Sequence, residues 1–76
     1  VYSVQIGVFK NKKNASTLTK RYEKKGYEAF MHKSSTGEKK FVYRVLIGKF
    51  AGRDEAAGWA KKISAEERTK ATVFKR

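Results

Sequence analysis

Residues 1–9 read VYSVQIGVF and residues 42–50 read VYRVLIGKF. Six of the nine positions are identical: Val1/Val42, Tyr2/Tyr43, Val4/Val45, Ile6/Ile47, Gly7/Gly48 and Phe9/Phe50. At the same offset of 41 residues, Ala15 meets Ala56, Leu18 meets Trp59, Lys20 meets Lys61 and Tyr22 meets Ile63. In a chain of 76 residues, such a period leaves room for two copies of one supersecondary unit around one modest core.

Each copy of VY-x-V-x-IG-x-F alternates and is rich in β-branched and aromatic residues, which predicts a strand. Behind it, Ala15, Leu18 and Tyr22 recur at i, i+3 and i+7, as do Ala56, Trp59 and Ile63. Each trio predicts one apolar helix stripe. Asn11 is placed to cap the first helix, and Gly26 to end it after Lys24 and Lys25. Asp54 and Glu55 put negative charge in the first turn of the second helix, where the dipole favours it. Tyr27–Lys33 and Lys70–Lys75 predict a further short strand in each half, with a hairpin turn over Ser34–Glu38.

The order β-α-β-β-α-β predicts an α+β, ferredoxin-like (RNP-like) fold. Four antiparallel strands form the sheet, the two repeated strands lie side by side in its centre, and both helices cover one face. The halves, about 1–33 and 40–76, are related by a pseudo-twofold within a single domain spanning 1–76. Lys33, Lys70 and Lys75 are placed to protect the edge strands from further pairing.

Three positions of the repeat differ: Ser3/Arg44, Gln5/Leu46 and Val8/Lys49. Tyr2, Val4 and Ile6 share the face that must bury against the helices, as do Tyr43, Val45 and Ile47. A glycine within a strand marks a bulge. A one-residue parity shift at Gly7 and Gly48 sends Val8 and Lys49 outward and returns Phe9 and Phe50 to the core. All three variable pairs then point to the helix-free face, where function is sought. The predicted core is Val4, Ile6, Leu18, Tyr22, Val45, Ile47, Trp59 and Ile63.

The chain holds 19 Lys and Arg against 7 Asp and Glu, a formal charge of +12. The excess is spread over both halves, with ten basic and three acidic residues in 1–41 and nine and four in 42–76. There is no basic tail, so charge favours an anionic partner without choosing one. With no cysteine, a disulfide framework, a thiol nucleophile and a thiolate metal site are all excluded. No apolar run approaches the roughly 20 residues that span a bilayer, and no stretch reads as a signal peptide. The chain starts directly in an apolar alternation and reads as a module of a larger protein.

The ordered set VQIGVF at 4–9, Ala15 with Leu18, Gly26-Tyr27, YRVLIGKF at 43–50 and Asp54-Glu55-Ala56 resembles the SPOR (sporulation-related repeat) domain family over essentially the whole chain. The resemblance implies the fold derived above. It also implies non-catalytic binding of bacterial peptidoglycan, in particular glycan strands stripped of stem peptides. The parent protein would be extracytoplasmic, in the periplasm or cell wall, and gathered at division septa. The family's binding glutamine falls on Gln5 and its binding arginine on Arg44. Val8 stands where a serine is common, and Val42 where some members carry an aromatic.

The chemistry of these residues suits that partner. The Gln5 amide can bond sugar hydroxyls and N-acetyl groups. The Arg44 fork can grip the lactyl carboxylate of N-acetylmuramic acid. Strand alternation turns Phe30 and Phe74 outward on the two edge strands, as platforms for sugar C–H faces. Gln5, Arg44, Val8, Val42, Leu46, Phe30 and Phe74 form the expected glycan-contact set. A monomer that needs no cofactor and inserts into no membrane is expected.

His32 has no second histidine near it in sequence and reads as a surface residue, not a metal ligand. Asp54-Glu55 and Glu66-Glu67 form no acid pair across a cleft, so glycosidase chemistry has no candidates. No nucleophile stands with a base, and no phosphate-cradling loop is present, so an enzyme is not expected. Two other readings share the plan. An RNA-binding RRM would use the same open face, and Lys40-Phe41-Val42-Tyr43 echoes the end of its RNP1 motif. Glu38-Lys39-Lys40, however, replaces the Gly-aromatic-Gly/Ala that RNP1 needs upstream. The third reading is a protein–protein assembly module, with Val42, Leu46 and Phe30 as an apolar interface centre.

Overall fold

The computed structural model describes residues 1–38 and 40–75. Lys39, within the segment compared with RNP1, and the terminal Arg76 lie outside the described residues. The elements run β1 (Tyr2–Phe9), α1 (Lys12–Lys24), β2 (Ala29–Gly37), β3 (Lys40–Phe50), α2 (Arg53–Glu67) and β4 (Thr72–Lys75). The sheet order is β2-β3-β1-β4, and every neighbouring pair is antiparallel. The two repeated strands are therefore central, as the repeat predicts. No helix among the described residues is long and apolar enough to cross a membrane.

The bulges fall at the repeated glycines. Gln5 pairs with Leu46 but Gly7 pairs with Val45, so Ile6 and Gly7 share one step of the partner strand. On β3 the shift lies opposite Tyr2–Val4, which pair with Phe50 and Ile47. Gly48 has φ +71, a backbone that side chains rarely adopt. A Cβ there would also meet the Phe50 ring at 2.6 Å. At Gly7 the same position would meet Phe9 and Leu18. In both halves the phenylalanine closing the strand folds back over the glycine, and Phe9 and Phe50 pack against the core.

The helices are built as their caps dictate. Asn11 Oδ1 accepts from the Lys13 amide at 2.8 Å, satisfying one of the orphan donors of α1. At the other end Gly26 takes φ +94, its amide bonds Glu23 O and the Tyr27 amide bonds Tyr22 O. That pair of bonds is a Schellman motif. Its accompanying apolar contact is Tyr22 on Tyr27, with centroids 5.6 Å apart. The α2 helix ends on Arg68 in the left-handed region, φ 52. Tyr27 also ties the two halves together. Its hydroxyl lies 3.1 Å from Glu67 and 3.2 Å from Glu66, and Lys25 pairs with Glu67. Burial, then the bonds to Glu67 and Glu66, pushes the Tyr27 hydroxyl up to about 12. The bond from Lys25 holds the Glu67 carboxyl below its ordinary value, and the bond from Tyr27 adds to this, against an opposing effect of burial.

The helix stripe differs from the expected one by one position. The buried lines are Ala15, Thr19 and Tyr22 on α1, and Ala56, Ala60 and Ile63 on α2. Both are i, i+4, i+7, and they match pair by pair at the 41-residue offset. Leu18 and Trp59 stand on the flank of each line: Leu18 is half-buried, and Trp59 is 39% exposed and stacked on Phe50. The expected burial of Trp59 and Leu18 is therefore corrected. The sequence hides this because Thr19 is polar. Its hydroxyl donates to Ala15 O at 2.8 Å, which lets it take an apolar position without an unpaired group. The other expected core residues, Val4, Ile6, Tyr22, Val45, Ile47 and Ile63, are buried together.

The hairpin is also longer than expected. The β2 strand runs through Ser34 and Ser35, which pair with Val42 and Phe41, and ends at Gly37 rather than Lys33. Register fixed upstream by Ala29 and Met31 against Ile47 and Val45 carries the ladder onward through residues of weak strand propensity. Conversely β2 begins at Ala29 and β4 at Thr72, each two residues later than expected.

Candidate functional site

The helix-free face takes alternate residues from all four strands. From β2 come Phe30, His32 and Ser34, which pair with Leu46, Arg44 and Val42 on β3. From β1 come Ser3 and Gln5, which pair with Phe74 and Thr72 on β4, while Val8 pairs with Arg44. Phe30 and Phe74 point as predicted, since Ala29, Met31, Ala71 and Val73 pack against the core on the other side. No acidic residue stands on any of the four strands, so the face is electropositive.

Arg44 is the centre of this face. Its Nη1 donates to Gln5 Oε1 at 2.8 Å, and its Nε reaches Ser34 Oγ at a long 3.4 Å. Its guanidinium lies 4.9 Å from the centroid of the Phe74 ring. These bonds use two of the five N–H groups of the fork, leaving a planar donor set for a ligand. Because arginine can only donate, its bond fixes the Gln5 amide with oxygen toward Arg44 and turns the NH₂ group elsewhere. Gln5 and Arg44 are thus held together as one ordered unit.

Side chains from the two edges of the face meet over it. His32 and Phe74 stand on opposite edge strands, three strand spacings or roughly 14 Å apart across the sheet and offset along it, yet their rings meet at 5.6 Å. Leu46, expected to touch glycan, is 0% exposed, between Phe30 and Gln5 on the neighbouring strands. Ser3, also pointing to this face, is fully buried and donates to Gly48 O at 2.7 Å, bracing the β3 bulge. Two of the six residues that vary between repeats are thus covered.

The remaining candidates spread around this centre. Phe30 is half-buried, with the Lys49 ammonium 5.8 Å from its ring. Val8 is 44% exposed beside Arg44. Val42 is half-buried and lines a separate hollow of about 430 Å³ with Lys10, Lys40 and Phe41, toward the hairpin end. A shallow hollow of about 360 Å³ lies against Gln5, with Lys70 and Thr72 on its rim. Three residues of the centre escaped sequence reading: His32, Ser34 and Lys49 as a cover for Phe30. The parity that turned Phe30 outward also turns His32 outward. Ser34 is hidden because Ser-Ser-Thr-Gly has the composition of a turn, although Ser34 pairs with Val42 within the strand. Among the described residues no group of three or more His, Asp or Glu comes together to hold a metal ion.

A model of the SPOR domain matches residues 1–75. The chain belongs to the SPOR domain family. Two solved structures share its fold. One is the solution structure of the peptidoglycan binding domain of the B. subtilis cell wall lytic enzyme CwlC. It is 34% identical with TM-score 0.71, over 96% of this chain and 85% of that one. The other is the crystal structure of the RlpA SPOR domain from Pseudomonas aeruginosa. It is 18% identical with TM-score 0.73 over 100% of both chains, a likeness of fold alone. No curated protein matches the chain. As a SPOR domain, the molecule keeps its central strands, bulges and both helices where the repeat puts them.

Proposed function

We propose that this SPOR domain binds peptidoglycan without catalysis, preferring glycan strands denuded of stem peptides. The observation that carries the reading is the Arg44–Gln5 pair, held against Phe74 on a sheet whose four strands carry no acidic residue. A peptide-free glycan offers lactyl carboxylates to the guanidinium, hydroxyl and N-acetyl groups to Gln5, and C–H faces to Phe74 and Phe30. Stem peptides occupy those carboxylates as amides, which removes the charge that Arg44 reads. The 34% identity to the peptidoglycan binding domain of CwlC supports the same partner. On this reading the domain is an extracytoplasmic monomer that carries its parent protein to the wall and the division septum. The RRM reading loses support because the half-buried rings of the face sit on edge strands, while the central strands present Gln5 and Arg44. Sedimentation with purified sacculi tests the proposal: the bound fraction should rise after amidase removes stem peptides, and RNA should not compete. Equal binding to peptide-rich and peptide-free sacculi would sink the preference.

A further inference from the structure

A second groove lies away from the open face. It holds about 500 Å³ and sits where the ends of β3 and α1 meet the flank of α2. Trp59 forms its apolar wall, stacked at 20° on Phe50 with the Lys62 ammonium 4.9 Å from its ring. Helix packing does not require an indole here. Ala56, Ala60 and Ile63 bury the stripe, and the equivalent residue of the first half is Leu18. The charges of the groove balance, with Lys25, Lys49 and Lys62 against Glu28, Glu55 and Glu66. In a domain of charge +12, that balance sets the groove apart from the rest of the surface. A ligand chosen here is not chosen for negative charge. An exposed aromatic plane among three ammonium donors and three carboxylate acceptors suits a neutral N-acetylated pyranose. The C–H face of the sugar takes the place of the flexible Lys62 side chain on the ring, while its hydroxyls and amide meet the charged groups. Lys49 links the groove to the open face, since it lines the groove while its ammonium lies 5.8 Å from the Phe30 ring.

We infer that Trp59 is a second sugar platform, which takes a neutral N-acetylhexosamine of the same glycan strand as it leaves the Arg44 face past Lys49. This rests on the glycan-binding reading above and extends its footprint from the open face onto the flank of α2. The platform engages only strands long enough to reach both places.

The test uses peptide-free glycan oligosaccharides of increasing length, titrated against the wild type, Trp59→Leu, Arg44→Ala and Lys61→Ala. Leucine is the residue the first half carries at this place, so Trp59→Leu retains the fold, checked by circular dichroism. Trp59 is the only tryptophan in the chain, so its emission reports on the groove directly. Trp59→Leu should leave short oligosaccharides unaffected and weaken long ones by about three- to tenfold, the worth of one aromatic stacking contact. Arg44→Ala should weaken all lengths, and Lys61→Ala none. Wild-type emission should change only with long oligosaccharides. If long strands bind the wild type but Trp59→Leu binds them equally and emission is silent, the platform is refuted while the Arg44 site stands. If no length binds the wild type, both are refuted.

Discussion

Arg44 and Gln5 are a coupled pair, and their variants should show it. Removing either partner leaves the other with a lost bond and a freer side chain, so the two losses overlap. Arg44→Ala should weaken binding to denuded glycan by about tenfold to a hundredfold, the worth of a bond to a charged group, and Gln5→Ala by less. In a double-mutant cycle by calorimetric titration, the double variant should bind about as weakly as Arg44→Ala alone. Strict additivity would mean that the 2.8 Å bond does not aim the guanidinium. Both residues lie outside the buried core, so the melting temperature of each variant should stay close to that of the wild type. Arg44→Lys keeps the charge but loses the fork, and should recover little of the binding.

At the level of elements, the α2 stripe separates residues that hold the fold from one that only flanks it. Ile63 is fully buried, and Ile63→Ala should cost about 2–5 kcal/mol by chemical denaturation. Trp59→Ala, at 39% exposure, should cost only about 1–2 kcal/mol despite the larger side chain. The reverse ranking would contradict the i, i+4, i+7 line. The Lys25–Glu67–Tyr27 clamp between the end of α1 and the end of α2 should set the pH limits of the fold. Glu67 titrates lower in the folded than in the unfolded chain, so its contribution is complete above about 4.5 and fades as pH falls through the lower folded value. The Tyr27 hydroxyl titrates higher when folded. Its contribution is therefore complete below about 10 and fades as pH rises toward about 12. Melting temperature followed against pH should fall at both ends, and Glu67→Gln should flatten the acid limb. An unchanged acid limb in Glu67→Gln would show that the clamp does not link the halves.

Over the whole molecule, a charge of +12 on 76 residues acts in opposite directions on stability and on binding. Salt screens self-repulsion, with a Debye length of about 8 Å at 0.15 M, so the melting temperature of the free domain should rise with added salt. On the proposed reading the same screening weakens the attraction of Arg44 to glycan carboxylates, so affinity should fall over the same range. If affinity is independent of salt, the lactyl carboxylate is not what Arg44 reads. The repeat in the sequence determined the topology: six identities in nine placed two like strands in one sheet, and period-2 alternation with glycine bulges fixed which face each residue takes. It also brought Gln5, Arg44, Phe30 and Phe74 to one face, since parity is a local property of the backbone. How far each side chain is covered was not local. Leu46 and Ser3 point to the open face but are fully buried, and Trp59 sits one helical position off a stripe that Thr19 conceals. The meeting of His32 with Phe74 joins two edge strands that never pair, so it depends on how all four strands are assembled. Direction is written residue by residue along the chain, whereas burial depends on how all the elements pack together, and only the tertiary structure decides it.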